Sequence, residues 1–563
     1  MGEATEPTKV PLWRQIFDQG FITQEVLNHD YKGAGSDESP YEVTWLENDS
    51  RNPMLLSAVF RWYLMFLVGM HTLAVALASS AYSGSIVEIT QDLNVSEEVA
   101  LLGISLFVIG FAVGPLIWAP LSEIYGRRYI MIVCAVGLTA FTAGTAGSRN
   151  PWTLIILRFL GGSIGSGPFA VSGGVLADTF PAITRGLASG LYCAAPFLGP
   201  TLGPIIGGFL SESAGWRWVE GLVAVFSALV GIVVFFTLPE TYAPVLLEKR
   251  ASRLSAITGK VYRSKLEVEK GKTSSTKILK IALSRPWVLL FREPIVLLLT
   301  IYLSIIYGIL YLLFAAYPIV YQRERGWSEG MSGLAFLGVL LGIVLSTIAT
   351  FPNYYLYKKK ALAANGRVPP EARLPPSFIG AICLPVGLFW FAWTNYPSVH
   401  WIASIAAGVP FGFGMVMVFL PVLNYLVDAY TIYAASVIAA NASMRSIFGA
   451  AFPLFAGPMY NALGIHWASS LIAFLALACV PLPFLFYKYG PAIRSRCHYA
   501  AESERFMNAL FAAGAQSPVE KAGEPQNKEE GKGKSESQER VLGPTTTGRM
   551  SDPEASLDSL DDR

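Results

Sequence analysis

Charge is what this chain has least of. Only 15% of its 563 residues are Asp, Glu, Lys or Arg, against roughly 25% in soluble globular domains. That scarcity excludes a disordered scaffold and almost any water-soluble enzyme of this size. The 42 basic and 40 acidic residues leave a formal charge of +2, which excludes a nucleic-acid partner held by bulk charge. Cysteine is sparse too: Cys134, Cys193, Cys383, Cys479 and Cys497 lie far apart, with neither metal-ligand spacing nor a disulfide framework. His71, His400 and His466 stand singly, without HExxH-like spacing, and no Walker loop is present. The sequence therefore points to no enzyme, no metal, no cofactor and no ATP-driven device.

Apolar residues are plentiful instead. They make up 53% of the chain, with 13 Trp, 25 Tyr and 33 Phe beside 52 Gly, and the mean hydropathy is +0.45. A membrane helix needs about 20 mostly apolar residues, and twelve such runs are expected at 59–80, 99–120, 129–147, 152–176, 186–210, 217–238, 294–319, 331–353, 377–394, 401–427, 431–457 and 466–487. The expected fold is an all-α membrane protein of twelve transmembrane helices in two pseudo-symmetric six-helix halves, 59–238 and 294–489. A charged central loop, 239–293, joins them. Residues 1–58 are polar and carry no signal-peptide pattern; residues 490–563 form a tail, largely disordered by composition.

Basic residues sort by side. With the N-terminus cytoplasmic, twenty-three Lys and Arg fall in inner loops, and only Arg149, Arg217, Arg323 and Arg325 in outer ones. Both termini are therefore expected in the cytoplasm, at the plasma membrane or alternatively a vacuolar one. The first outer loop is acidic and holds a candidate glycosylation sequon at Asn94. In the central loop, Leu246, Leu247, Leu254 and Ile257 alternate with Lys249, Arg250 and Arg253. That pattern reads as a basic helix lying on anionic lipid, with a helix bracing the inner gate as the alternative.

Between the second and third runs stands APLSEIYGRRYI (Ala119–Ile130). Gly126 suits the tight turn, Arg127 and Arg128 sit on the rim, and Glu123 can pair with a basic group or a helix N-terminus. The fifth run contains LGPTLGPIIGGFL, with Gly199, Gly203, Pro204, Gly207 and Gly208 on a closely packing, bent helix. The first segment resembles the signature loop of the major facilitator superfamily: Leu121, Gly126, Arg127 and Arg128 match, while Ala119, Glu123 and Ile124 depart from the general pattern. The second matches the antiporter motif G-x-x-x-G-P-x-x-G-G residue for residue. PETYAPVLLEKRASRL (Pro239–Leu254) and the stretch Leu283–Trp327 resemble fungal members of the twelve-span drug:proton antiporter family, exporters of polyamines, fluconazole and toxins. The resemblance covers roughly 59–489. In the second half the signature loop is reduced to NYYLYKKK (Asn353–Lys360).

The resemblance implies a functional monomer that exports a small organic molecule against protons across the bilayer. Its inner gate would join Glu123, Arg127 and Asp178, with Asp428 as the second-half counterpart of Asp178. Arg158 is placed like the family's membrane-embedded arginine, held to assist proton transfer. From the residues themselves, intramembrane polar groups should face the interior. The candidates for a proton or substrate cavity are His71, Arg158, Asn424, Asn441 and Arg445, with Tyr307, Tyr311 and Phe314 on one helical face. A carboxylate at mid-depth in the first or fourth run is missing, and Glu88 and Glu293 read as too near the surface to carry a proton. Two mid-membrane arginines without such acids favour a neutral or weakly anionic amphipathic substrate over a polyamine. The alternatives are a polyamine exporter, a proton-coupled importer of the same fold and a transporter-derived nutrient sensor.

Overall fold

A computed structural model describes residues 10–271, 275–363 and 368–516; expectations for 1–9, Arg367 and the tail beyond Gln516 lie outside them. Helices begin where a capping side chain precedes an apolar run. Ser57 accepts from the Phe60 amide, Ser96 from Val99 and Asn150 from Thr153, each filling an otherwise orphaned N–H at a helix start.

Among the described residues, eleven helical segments are long and apolar enough to cross a membrane. Spans one to six are Ala58–Leu93, Glu97–Tyr125, Arg127–Ala146, Pro151–Thr179, Thr184–Ala214 and Trp216–Thr237. Spans seven to ten are Pro294–Arg323, Glu329–Ala363, Pro375–Thr394 and Trp401–Ala429. The last segment, Thr431–Arg494, has 64 residues. As one helix it would measure about 96 Å, some three times the ~30 Å hydrocarbon core. Gly464 breaks it at φ +74°, so it supplies spans eleven and twelve. In the most apolar window of span seven 83% of the residues are buried, against 39% in spans three and six. Span seven therefore lines the interior, and spans three and six present Val133, Val136, Trp218, Val225 and Ile232 to lipid.

The N-terminal segment and central loop depart from expectation. The loop helix Ala243–Thr258 buries Ala251 and Leu254 against Val26, Tyr31 and Val43 of the N-terminal segment. It is thus packed on protein along this face, a correction to the lipid-lying helix. Apolar side chains from two sequence-distant polar stretches cover one another there, which neither stretch could do alone. A short parallel pairing joins β1 (Tyr41–Val43) to β2 (Tyr262–Ser264), an addition to the all-α plan. Asp49 takes both terminal guanidinium nitrogens of Arg250 in a buried ion pair, and the Trp45 ring lies 4.9 Å from the guanidinium carbon. Burial also pushes the Tyr31 hydroxyl up to about 12. At the other end, the tail expected from 490 begins as helix, through Pro481–Arg494 and His498–Gln516. The described N-terminal segment, the central loop, the span 10–11 turn and the start of the C-terminal helix therefore share one face, called here the basic face.

Removing one partner of a buried pair strands a charge, whereas replacing both with apolar groups is nearly neutral. Asp49→Ala should cost about 3–5 kcal/mol, read as a fall in thermal unfolding midpoint of the purified protein, and Asp49→Ala with Arg250→Met should regain most of it.

Candidate functional site

At the basic face, span two turns into span three at Gly126, which adopts φ +98°, a conformation that favours a residue without Cβ. A Cβ would also overlap the Glu240 carboxylate. Glu240 Oε1 accepts the amides of Arg127, Thr241 and Tyr242, each at 2.9 Å, and Oε2 accepts that of Arg128 at 3.2 Å. A carboxylate therefore caps the positive end of span three. Arg127 reaches Asp178 at 3.4 Å and lies over the Tyr242 ring, whose hydroxyl burial pushes up to about 12. Arg128 donates to the Phe235 carbonyl at 2.9 Å, and the Phe17 ring lies 5.1 Å from its guanidinium. Glu123 makes none of these hydrogen bonds but lies within electrostatic reach of Arg127 and Tyr242. Glu240, not singled out in the sequence, holds the centre instead.

The second half has a clasp of opposite polarity. Asp428 binds Arg373 at 2.8 Å, and Arg373 lies 3.7 Å from the Tyr357 centroid. Here the acid, Glu371, precedes span nine, and the arginine, Arg494, closes span twelve, with bonds of 2.9 and 3.2 Å. Glu293 is a further correction: it is fully buried, accepting from the Tyr430 hydroxyl at 2.8 Å and the Tyr499 amide at 3.0 Å. It ties the start of span seven to the span 10–11 turn and the C-terminal helix.

On the far face the five-residue motif of span five packs in two directions. Cβ atoms on Gly199, Gly203 or Gly207 would overlap residues 76–81 of span one, and one on Gly208 would stand 2.6 Å from the Glu329 carbonyl oxygen. Gly333 approaches the Pro204 carbonyl just as closely, and the Gly330 amide donates to Glu212 at 3.2 Å. Small residues here let backbones meet without intervening side chains. Arg323 pairs with Glu97 across the same face, and Arg217 with Asp92 at 2.8 Å. Glu88 caps span six, accepting from the Trp216 amide and Ser211. Asn94 is exposed at the turn before span two.

Four spans converge on Arg158, which is 1% exposed. It donates to the carbonyls of Ala78, Ser79 and Gly103, pairs with Glu220 at 2.8 Å, and lies over the rings of Tyr82 and Phe107. The Tyr82 amide turns to Ser80 rather than Ala78, which frees the Ala78 carbonyl for the guanidinium. Glu220 of span six is the membrane carboxylate that sequence reasoning missed: next to Trp216 and Arg217 it reads as a loop edge.

Towards the middle of the bundle, the aromatic face of span seven divides. Phe314 packs on Phe336, and Tyr311 is held by Ser79 at 2.8 Å. Tyr307, hydrogen-bonded to Tyr311 at 3.3 Å, turns its ring to Arg445, 4.8 Å away. Phe419 covers Arg445 at 5.1 Å. The Nε of Arg445 and the amide nitrogen of Asn441 are buried without a hydrogen-bond partner. His71 is fully buried with neither ring nitrogen bonded, apart from the network a proton relay would use. Asn424 stands elsewhere, in a cleft with Gly186, Thr350, Asn353, Tyr357 and Met417 near the basic face.

Residues 64–453 match the family model of the Major Facilitator Superfamily. The chain is 59% identical to the MFS-type efflux pump MFS2 of Trichophyton rubrum, over 91% of this chain and 86% of that one. It is 55% identical to the major facilitator superfamily multidrug transporter mdrA of Aspergillus fumigatus (94% and 86%) and 50% identical to the efflux pump FUBT of Fusarium oxysporum (90% and 86%). The fold is similar to that of the proton:xylose symporter XylE, with TM-score 0.56, 17% identity and coverage of 77% and 96%. It is also similar to human organic anion transporter MFSD10, with TM-score 0.51, 18% identity and coverage of 77% and 100%.

Gly126 and Gly259 both hold positive φ, but only at Gly126 would a Cβ meet another group. Dihedral strain of about 1–3 kcal/mol is expected in either alanine variant; in thermal unfolding Gly126→Ala should lose clearly more than Gly259→Ala.

Proposed function

This chain belongs to the major facilitator superfamily, and on that premise we propose that it is a proton-driven exporter of amphipathic organic compounds, drugs or secondary metabolites, working by alternating access. Relatives named efflux pump and multidrug transporter at 50–59% identity support export. Proton coupling rests on one observation, the buried Arg158–Glu220 pair. A proton on Glu220 would leave Arg158 still held by three carbonyls and two rings, which offset part of the cost of losing its buried counter-ion. We assign the proton to Glu220, with Arg158 as its partner, rather than to His71.

The conformation supports the same reading. Spans five and eight meet at the far face, while the cleft beside Asn353 and Asn424 lies near the basic face, as expected of an exporter waiting for a molecule from inside. We place both termini in the cytoplasm and the protein, a monomer, in the plasma membrane, on the strength of twenty-three basic residues against four. Asn94 then lies outside, where a glycan could be attached. Lone Arg445 within the bundle disfavours a polycationic polyamine cargo.

Reconstituted in inside-out vesicles, the protein should accumulate a hydrophobic dye when the lumen is acidified. Glu220→Gln should lower gradient-driven accumulation at least tenfold while dye exchange without a gradient persists. Wild-type-like accumulation by this variant would remove Glu220 from the coupling, and wild-type transport indifferent to the gradient would remove proton coupling altogether.

A further inference from the structure

Arg445 sits in span eleven, about 16 Å along the helix from Ala434 at 1.5 Å per residue, which is near mid-membrane. Tyr307 of span seven and Phe419 of span ten lie beside it, and Phe419 packs on Phe197 of span five with ring centroids 5.0 Å apart, so it lies where the two halves meet. Among the described residues no carboxylate stands within ion-pair distance of it, whereas Arg127, Arg158, Arg250, Arg373 and Arg494 each have one. A guanidinium in a low-dielectric interior without a counter-ion is costly. The rings of Tyr307 and Phe419 lie 4.8 and 5.1 Å from its guanidinium carbon. A guanidinium without a carboxylate partner can take two acceptor oxygens side by side on its N–H edge. The Nε is buried and unbonded, and Asn441, one helical turn earlier and 1% exposed, also has an amide nitrogen without an acceptor. Arg445 and Asn441 therefore offer a positive charge and two unsatisfied donors, beside aromatic surface that Phe197 extends against Phe419.

We propose that Arg445 is the counter-ion site for the cargo, and that the exported molecule is an organic monoanion: an aromatic or alkyl body bearing a carboxylate, or an ionised enol beside a carbonyl. Two acceptor oxygens meet the guanidinium edge, Asn441 donates to one of them, and the rings of Tyr307 and Phe419 flank the apolar body. The assignment rests on the exporter reading and narrows its substrate class. It also fixes a charge count. One anion leaving against one proton entering moves two charges in the direction favoured by an inside-negative membrane, where a neutral cargo would move one.

The test is equilibrium binding to the full chain in lipid nanodiscs, with 4-butylbenzoate, its methyl ester and 4-butylbenzylammonium as probes. Wild type should bind the acid at least tenfold more tightly than the ester, and the cation more weakly than either. Arg445→Gln should abolish the preference for the acid, and a cooperative thermal unfolding transition with saturable ester binding reports that the variant is folded. Arg445→Lys should retain part of the preference, having charge without the two-pronged edge. Equal binding of acid and ester by wild type, absence of saturable acid binding, or a preference that survives Arg445→Gln would each overturn the proposal. Vesicle transport separates the two readings: gradient-driven uptake of a neutral dye without acid preference in binding defeats the anion site and leaves the exporter. Acid preference lost in Arg445→Gln, with no transport of any probe, supports the anion site and defeats the exporter.

Discussion

The structure depends on a single demand: inside a bilayer no water is at hand, so a buried polar group left without a partner in the protein is costly. Arg158 meets that demand by drawing spans one, two, four and six to one point. Span one contributes carbonyls because its helical bonding shifts register at Tyr82; span six contributes the compensating acid. Close approach of span five to span one follows the same economy, since Gly199, Gly203 and Gly207 allow backbone contact in place of side chains beside this junction. What the arginine holds in the first half, the far-face seal of span five carries across to span eight in the second.

How much of this could be read from sequence varies with the range of the interaction. The spans were legible because hydropathy is a local sum, and the twelfth needed only Gly464 to part it from the eleventh. Gly126 and the span-five glycines were legible because a tight turn or a close approach restricts residue type at a fixed spacing. Glu220 was not, since a single acid beside Trp216 and Arg217 looks like the edge of a loop; only the folded neighbours reveal that Arg158 is opposite. Asp49 and Arg250 lie 201 positions apart, and nothing in either polar stretch names the other. Periodicity placed Tyr307, Tyr311 and Phe314 together on a face, but the neighbouring helices decide that Phe314 is packing and Tyr307 meets Arg445.

At the basic face each half is fastened by its own clasp, and the flanking segments brace both. Asp49 and Phe17 anchor the N-terminal segment to the central loop and to the end of span six. Glu293 and Tyr499 anchor the C-terminal helix beneath span seven. These fastenings lie within each half, an arrangement that suits the rocking we propose.

The two clasps also constrain how such a chain can change over generations. In the first half the acid comes from the end of span six, and in the second the arginine comes from the end of span twelve. Converting one arrangement into the other takes at least two exchanges, and either single step leaves like charges, or an unmatched one, in a buried place. Drift at Glu371 and Arg494 should consequently be correlated, while Glu240, bonded to main-chain amides that every residue but proline provides, can persist whatever side chains replace its neighbours. The two fastenings share a place in their halves but differ in chemistry, so the halves of this transporter are not interchangeable pieces.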